Sequence, residues 1–574
     1  MTKKKALIIL VMTVGTFFCM LDTTIMTIVL PEIQTGLNVS LDSLSWAVNL
    51  YTIIFATLTI LLSRLAEIRG KNKYFIIGLV LFTIGSILSG MSENLSFLLF
   101  GRIVQSLGAA TILPLTMTIS LAQVKVNQRN KIVALLGGAQ GFAAALGPTI
   151  GGMIAQYYSW RWVFYINVPF LLIIIFLAPF VLPIKNETKL SEKIDILGSI
   201  LSMIMLFSLT LTLIKGNSWG WSSLIIIILI ITTIVSFVLF IITEYKVPDP
   251  MINLALFKSR NFNGASLSLI LCNFFLGGFA ITMPTFLVKT QSKSELQAAL
   301  LMTPYSISVF IFVILASLLM KKIKIKYLVI SGFIFLSFSY YILGNMKTNI
   351  AINSLVIANI FLGLGYGIIA GPANVMAASD FNGKLLTASQ SVANVFRQIG
   401  LVLATAIFVS LLTINVNHAK DNILSYSSTQ ISSSSLPNKV KSQALKKIKH
   451  TINTSKNSAI STNNLKPKKI TISDAQLNSK AQQQVELVLE KKGPLPPMVK
   501  KTLYPKLMRI AKRQIKQKVQ STNHQITSLT NTIKDYSKKQ LVESFLKIYR
   551  TMIPIALISI LCGLLFKISK KRTI

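Results

Sequence analysis

The feature that most constrains this chain is a succession of apolar segments, most of them close to the roughly 20 residues that a helix needs to cross hydrocarbon. Residues 6–30, 224–242 and 401–414 are examples. Hydrophobic residues make up 52% of the sequence and charged residues only 13%, which does not suit the surface of a soluble protein. The sequence therefore excludes a soluble enzyme and predicts an all-α protein that crosses the lipid bilayer many times.

Fourteen spans are predicted where apolar runs alternate with polar breaks. Their approximate limits are 6–30, 46–63, 74–91, 97–122, 132–156, 162–182, 196–214, 222–243, 263–288, 297–320, 327–344, 351–378, 387–415 and 551–566. The basic start at residues 1–5 resembles a signal peptide, but the apolar run that follows is too long and has no small-residue cleavage site. We therefore expect this run to remain as the first span.

The distribution of basic residues predicts the orientation of the spans. With the N-terminus assigned to the cytoplasm, the termini and short loops on that side hold 25 Lys and Arg residues, and the short outer loops hold 5. Basic residues near span ends resist translocation, so we expect both termini in the cytoplasm and the protein in a plasma membrane. The frequent use of Lys, Asn and Ile suggests a bacterial source.

The spans are expected to form two six-helix bundles with two extra central helices, as in transporters with pseudo-symmetric halves. The first bundle would occupy residues 1–182, and the central pair with its linkers 183–262. Five spans of the second bundle would lie at 263–415. A basic outer segment would follow at 416–549, and the last span with a cytoplasmic tail at 550–574.

The outer segment carries much of the charge of the chain. Residues 418–549 hold 25 basic and 6 acidic residues, a net charge of +19, in a loop long enough to escape the inside-positive rule. Residues 425–437 are predicted to be a flexible linker, and 475–492 and 500–520 are predicted helices. Such a segment suits anionic envelope polymers or lipids, although a solvated loop explains its charge equally well. Its position outside the membrane argues against nucleic acid as a partner.

Three ionisable residues fall within the predicted spans, where a charge costs roughly 2.5–3.5 kcal/mol on insertion scales. Asp22 is a candidate for proton exchange or substrate contact, with a structural hydrogen-bonding role as the alternative. Arg102 can hold a carboxylate charged or serve as scaffold. Arg397 is expected nearer the cytoplasmic end, either solvated or facing a helix interface.

Chemistry for an enzyme is missing from the sequence. There is no phosphate-binding Gly-x-x-x-x-Gly-Lys-[Ser/Thr] motif and no cluster with metal-ligand spacing. The Cys residues lie singly in apolar segments, and all His residues lie in the outer segment. We therefore expect no enzymatic activity, no cofactor and no metal, and any energy for transport must come from an ion gradient or a partner.

Several segments together resemble the fourteen-span drug:proton antiporter family of the major facilitator superfamily. The following assignments are what this resemblance implies. The first-span sequence from Leu21 to Pro31 includes the functional acid, Asp22. The fourth-span sequence from Arg102 to Ala110, which includes Gln105, resembles the motif linked to proton coupling, with Ser106 in place of a Gly. The hallmark segment at 160–169 and the sequences 194–198 and 397–400 also fit.

The resemblance assigns two further groups of residues. The antiporter motif of the fifth span corresponds to Gly147, Pro148, Gly151 and Gly152, although helix packing alone also explains such a motif. The loop between spans two and three resembles a cytoplasmic gate motif. The acid is Glu67 and the turn is formed by Gly70 and Lys71, while the first Gly and one Arg of the motif are replaced.

The sequence thus favours a proton-coupled exporter of small hydrophobic or amphiphilic compounds that works by alternating access. Exporters of dications in the family that this chain resembles tend to place extra acids in spans nine to fourteen. These spans have no interior Asp or Glu here, so the resemblance argues against dications as cargo. One alternative is an exporter of a cell-envelope lipid, fatty acid or peptide, with the outer segment in contact with envelope polymers. Another is a sensor or scaffold with an inert bundle.

Overall fold

A computed structural model describes residues 2–39, 41–125, 128–184, 187, 194–320, 322–349, 351–381, 383–454, 470–491 and 497–566. These residues form α-helices joined by short connections. The helices are α1 Lys3–Leu37, α2 Leu41–Arg69, α3 Lys71–Gly90, α4 Leu95–Ala122, α5 Arg129–Tyr157, α6 Trp162–Tyr165, α7 Asn167–Val181, α8 Ile196–Trp219, α9 Leu224–Lys246, α10 Arg260–Gln291, α11 Glu295–Leu319, α12 Ile325–Gly344, α13 Ile352–Ser379, α14 Gly383–Ser433, α15 Asn438–Thr454, α16 Asp474–Lys491 and α17 Pro497–Ser559. Two 3₁₀ helices, Leu254–Lys258 and Ile560–Leu565, complete them.

Thirteen helical segments in the described part of the chain are long and apolar enough to cross a membrane, with α6 and α7 counted together as one. The remaining predicted span is α5, which is a continuous helix of 29 residues and contains several small residues. The predicted all-α, multi-pass membrane fold is confirmed.

Many of these helices begin where a polar side chain can cap them. Asn94 accepts a hydrogen bond from the backbone N–H of Phe97 at 2.9 Å, and Asp195 accepts one from Gly198 at 2.8 Å. Ser294 forms a capping box at the start of α11. Such caps satisfy backbone donors that the first helical turn leaves without partners, and they fix the residue at which each helix begins.

The helices pack as two bundles with an additional pair. In the first bundle α1 packs on α5, α4 packs on α3 and α2, and α7 covers α1 and α3. In the second bundle α11 and α12 pack on α13, and the 3₁₀ helix Ile560–Leu565 packs on α12. The central pair α8 and α9 pack on each other, while α5 and α11 join the two bundles.

Residues Thr413–Ser544 form a separate compact unit, the insertion unit. Within it, the end of α14 runs beside α17, where Ile423 packs on Leu541 and the ring of Tyr426 stacks on Tyr536 with centroids 3.9 Å apart. A second apolar cluster joins α16 to α17 through Ala481, Val485, Leu489 and Ala511.

The predicted flexible linker at 425–437 was wrong for its first part, because α14 continues to Ser433. The physical reason is that Ile431 and Ser427 are buried, and Tyr426 has a stacking partner. Tertiary contacts therefore outweigh the low local apolar content. The two predicted helices of the insertion unit are confirmed as α16 and as part of α17.

Candidate functional site

Three predicted residues from two helices meet inside the first bundle. Asp22 of α1 and Arg102 of α4 form an ion pair, with 2.7 Å between Oδ2 and Nη1. Gln105 lies one turn after Arg102, so both side chains project from the same face of α4. Its Oε1 accepts from Arg102 Nη1 at 2.6 Å, and its Nε2 donates to Asp22 Oδ1 at 2.7 Å. We call these three residues the polar site.

Four neighbours that sequence analysis did not assign to this site complete it. Arg102 Nε donates to the backbone carbonyl of Ala47 at 3.2 Å, and its guanidinium lies 4.2 Å from the centre of the Tyr51 ring. Gln105 Nε2 also donates to Ser86 Oγ at 2.9 Å. Asn167 belongs to the hallmark segment, and its Nδ2 donates to Asp22 Oδ1 at 3.4 Å. A single Ser or Tyr within an apolar helix carries no sequence signal for such contacts.

The polar site is sealed from solvent. Asp22 and Gln105 are 0% exposed and Arg102 is 1% exposed. Charges in such a place cost several kcal/mol each unless they are paired and hydrogen-bonded. Both carboxylate oxygens of Asp22 accept from side chains of α4, so the pair is compensated. The arrangement therefore offsets the cost of burying both charges inside the bundle.

The antiporter motif of α5 lies against α1 beside the polar site. A Cβ atom at Gly147 would overlap Thr24 Oγ1 and come within 2.8 Å of Thr24 Cβ. Gly151 packs on Ile25 and Gly152 packs on Leu296 of α11. Pro148 is helical in its backbone, and its side chain lies outside the described part of the structure. Gly147 therefore allows α5 to approach α1 two residues beyond Asp22.

Replacement of Gly147 by Ala is expected to slow turnover by about tenfold, because the added methyl group has to displace α1 beside the polar site. Gly147→Leu should be more severe. The measurement is initial transport rate per inserted protein, with protein level recorded separately.

The matched control is Gly15→Ala on α1 in the same bundle. A Cβ atom there would meet the Phe75 ring at 3.5 Å and Ile112 Cγ2 at 3.7 Å, which are ordinary van der Waals contacts. Turnover should stay within about twofold of wild type. If Gly147→Ala lowers only the amount of inserted protein and leaves the rate per molecule unchanged, the motif serves packing alone.

The predicted gate residues also come together, at the junction of α2 and α3. Glu67 lies 3.2 Å from Arg64 Nη1 and 3.7 Å from Lys71 Nζ. Lys71 Nζ also donates to Thr387 Oγ1 of α14 at 2.8 Å, so this loop contacts the second bundle. Gly70 has a φ of 120°, a conformation that residues with a side chain rarely adopt. Arg64 was not assigned to the gate by sequence, and it supplies a cation beside Glu67.

Glu187, in the connection between α7 and α8, is a further member of this loop region that sequence analysis missed. Its Oε1 accepts from the backbone N–H of Asn72 at 2.5 Å. A Cβ atom at Gly70 would lie 2.5 Å from its Oε2. Burial raises the pKa of Glu187, while backbone N–H groups at 71–73 and the charge of Lys71 act in the opposite direction. The contact is distant in sequence, so no local pattern indicates it.

Arg397 lies at a helix interface between the bundles and is partly exposed. Its Nη1 donates to Gln140 Oε1 of α5 and to Asn394 Oδ1, each at 3.1 Å. Its Nη2 donates to Asn374 Oδ1 of α13. Arg397 therefore faces a helix interface, one of the two predicted alternatives, and its partners come from both bundles.

A family model described as Major Facilitator Superfamily matches residues 12–405, well over half of the sequence. The chain belongs to the Major Facilitator Superfamily. Members of this superfamily are membrane transporters rather than enzymes. Among the described residues, no group of three or more His, Cys, Asp or Glu side chains could hold a metal ion.

Similar curated proteins of this superfamily come from bacteria. The riboflavin transporter RibZ of Clostridioides difficile (strain 630) is 27% identical over 410 residues, which cover 71% of this chain and 88% of RibZ. The multidrug transporter protein MdtP of Bacillus subtilis (strain 168) is 28% identical over 69% of this chain and 73% of its own. The probable multidrug resistance protein EmrY of Escherichia coli (strain K12) is 27% identical over 70% and 78%. These relatives confirm the resemblance to the drug:proton antiporter family.

A solved structure, the human organic anion transporter MFSD10 (TETRAN), superposes with a TM-score of 0.51. The match covers 71% of this chain and 94% of that structure at 11% sequence identity. Similarity at this level of identity concerns the fold alone.

Proposed function

We propose that this superfamily member exports hydrophobic or amphiphilic compounds in exchange for protons. The observation that carries the proposal is the sealed contact of Asp22 with Arg102 and Gln105. A carboxyl group can gain and lose a proton during a transport cycle, and intramembrane ionisable residues commonly serve such a purpose. Multidrug names among the relatives support the same class of cargo.

Proton binding at Asp22 would remove the negative charge that compensates Arg102. The pair would then lose most of its Coulomb attraction, because a neutral carboxyl group no longer balances the guanidinium. Arg102 would still bind the carbonyl of Ala47 and the oxygen of Gln105. The carboxyl group could therefore move relative to α4 while Arg102 stays in place.

The path from the polar site to the other bundle runs through α5. Gly147 and Gly151 pack on α1 at Thr24 and Ile25, directly after Asp22. On its other side, α5 contacts α11 through a 3.2 Å hydrogen bond between the hydroxyl groups of Thr149 and Thr303. A shift of α1 on protonation would thus change how the bundles meet, which is the requirement for alternating access.

We place both termini and the gate residues on the cytoplasmic side of a bacterial plasma membrane, as the asymmetry of basic residues predicts. Glu67 and Lys71 would then close that side in the present state, because Lys71 reaches Thr387 of the second bundle. Gly70 provides the turn that brings the end of α2 and the start of α3 together. The insertion unit would face outward.

Proton movement in reconstituted vesicles tests this proposal. The purified protein is placed in liposomes that contain a pH-sensitive dye, and ethidium, riboflavin or 1-pyrenebutyrate is added outside. An antiporter that takes up substrate releases protons from the lumen, so the internal pH should rise with at least one probe. A collapsed proton gradient should abolish concentrative uptake. Substrate movement without a pH change would refute proton exchange, and an inert bundle would show neither.

A second candidate function follows from the insertion unit. It contains a cavity of about 360 Å³, lined mainly by Ile, Leu and Val side chains. Lys447 is the cation among its described lining residues. This volume lies within the range of small-molecule sites. An apolar cavity with one cation in its lining suits an acyl chain with an anionic head group. The protein would then export an envelope lipid or fatty acid that the insertion unit receives.

Replacement of residues 425–540 by a short Gly/Ser linker is expected to weaken salt-sensitive binding to anionic vesicles. A basic segment gains roughly 1 kcal/mol per cation near an anionic surface, and the attraction is screened beyond about 8 Å at physiological salt. The linker has to join only residues 424 and 541, which lie close together because Ile423 packs on Leu541. Wild-type protein in neutral-lipid nanodiscs should bind phosphatidylglycerol vesicles at low salt and release them at high salt.

The linker variant also separates the two functions. Export of ethidium should stay within about twofold of wild type, because the bundles hold the polar site and the gate. Loss of 1-pyrenebutyrate export alone would favour the lipid or fatty acid exporter. If the variant binds vesicles as wild type does and exports every probe normally, the insertion unit has no part in transport.

A further inference from the structure

Arg397 and Arg102 are intramembrane arginines in different surroundings. Arg102 has a carboxylate partner, Asp22. All three hydrogen-bond acceptors of Arg397 in the described structure are neutral side-chain amides, those of Gln140, Asn374 and Asn394. An amide oxygen satisfies an N–H group but does not neutralise the charge.

The sequence offers the second bundle almost no acid with which to neutralise Arg397. Between residues 250 and 412 the acids are Glu295 and Asp380. Asp380 accepts hydrogen bonds from Ser259 and Asn261 in the described structure. Arg397 lies about ten residues, or about 15 Å, into the span predicted from residue 387. A charge within a membrane span is costly without a counter-charge, and Arg397 is only partly exposed.

The guanidinium of Arg397 keeps donors available. Arginine has five N–H groups, and the three amide oxygens accept from two nitrogen atoms, Nη1 and Nη2. Nε and one N–H of Nη2 therefore have no acceptor among the described residues. Two parallel N–H groups are what a carboxylate takes in a bidentate contact. Arg397 also keeps partial exposure although Asn374 is 4% and Asn394 is 7% exposed.

The position of Arg397 is suited to cargo recognition. Gln140 belongs to α5 of the first bundle, while Asn374 and Arg397 belong to the second, so the cluster spans the interface of the halves. Secondary transporters bind their substrates at such an interface near the midplane. An anion held here would contact both halves through a single cation and its amide neighbours.

We propose that Arg397, held by Gln140, Asn374 and Asn394, binds the carboxylate or sulfonate group of an anionic amphiphilic substrate. The inference rests on the proposed export function and assigns a charge class to its cargo. The amide residues orient the guanidinium, and the substrate supplies the missing counter-charge.

The test uses matched acid and amide probes, 1-pyrenebutyrate and 1-pyrenebutanamide, with the full chain in nanodiscs. Fluorescence titration should show that wild-type protein binds the acid at least about tenfold more tightly than the amide. Arg397→Gln should lose this preference and retain amide binding within about twofold. Arg397→Lys should keep part of it, because an ammonium group preserves the charge but loses the planar fork.

Arg550→Gln is the matched control, since Arg550 is also a partly exposed arginine of the second bundle and donates to the carbonyl of Gly344 at 2.6 Å. It should leave the acid preference unchanged. Equal binding of acid and amide by wild type, or an unchanged preference in Arg397→Gln, would overturn the inference.

Transport of the same probes in proton-loaded liposomes separates this inference from the proposed function. Acid preference that depends on Arg397, without proton-coupled movement of any probe, would refute the export function and support the binding site. Proton-coupled export of acid and amide at equal rates by wild type and Arg397→Gln would support export and overturn the anion site.

Discussion

Asp22→Asn is expected to abolish proton-driven export, with a fall of about 100-fold or more in the coupled rate, since proton exchange by a positioned side chain is typically worth factors of that order. The amide that replaces the carboxyl group cannot gain or lose a proton in the cycle. Dye-loaded liposomes with a transported probe provide the measurement. The amount of inserted protein and its thermal stability are recorded alongside.

Loss of stability is the main competing explanation for this result. Asp22→Asn leaves the charge of Arg102 buried without a partner, and breaking a buried pair typically costs about 3–5 kcal/mol. The double variant Asp22→Asn/Arg102→Gln removes both charges and should recover much of that stability. It should remain inactive. Proton-coupled efflux at the wild-type rate in a folded Asp22→Asn protein would exclude Asp22 from the coupling step.

The bundle architecture could be predicted from sequence because hydrocarbon imposes one strong rule on every span. A backbone without water has to satisfy its own hydrogen bonds, so a long apolar run has almost no alternative to a helix. The fifth span was predicted at 132–156 and is the helix Arg129–Tyr157. In the insertion unit no such rule applies, and α14 extends through part of the segment that composition marked as a linker.

The candidate site was predictable only where a charged residue stands inside an apolar run. Asp22 and Arg102 are conspicuous for that reason, and Gln105 follows from its place one helical turn later. Ser86 and Tyr51 lie within spans in which sequence analysis assigned no functional residue, and their contacts depend on how four helices pack. Arg397 was visible in the sequence as a charge, but two of its three amide partners, Gln140 and Asn374, lie far from it along the chain.

Arg102 and Arg397 also differ in whether their charge is compensated, and the sequence alone does not show this difference. Both lie in predicted spans, yet Arg102 is neutralised within the first bundle, whereas Arg397 is hydrogen-bonded by amides of both bundles. The role of each arginine therefore depends on whether a carboxylate lies within hydrogen-bond distance, and the presence of an arginine in a span does not reveal this. In the proposed cycle Arg102 would respond to a proton and Arg397 to the cargo.

The two substitutions of Arg102 are expected to give graded losses. Arg102→Ala should reduce coupled export to background, because Asp22 and Gln105 lose the cation that holds them and a buried carboxylate is left without compensation. Arg102→Lys should retain activity reduced by about tenfold, since its ammonium keeps the charge but cannot reproduce the planar fork. In the structure that fork reaches Asp22 through Nη1 and the carbonyl of Ala47 through Nε at once.

Substrate-driven proton release, normalised to inserted protein, measures this gradation, and Arg550→Lys provides the control for the loss of a guanidinium in a partly exposed site. That control should release protons at a rate within about twofold of wild type. A structural role alone predicts that Arg102→Lys and Arg102→Ala lose inserted protein while each remaining molecule works normally. The coupling role predicts well-inserted Arg102→Lys protein that binds substrate and exchanges protons slowly. Normal proton release by Arg102→Ala would leave Arg102 as scaffold and remove it from the proposed mechanism.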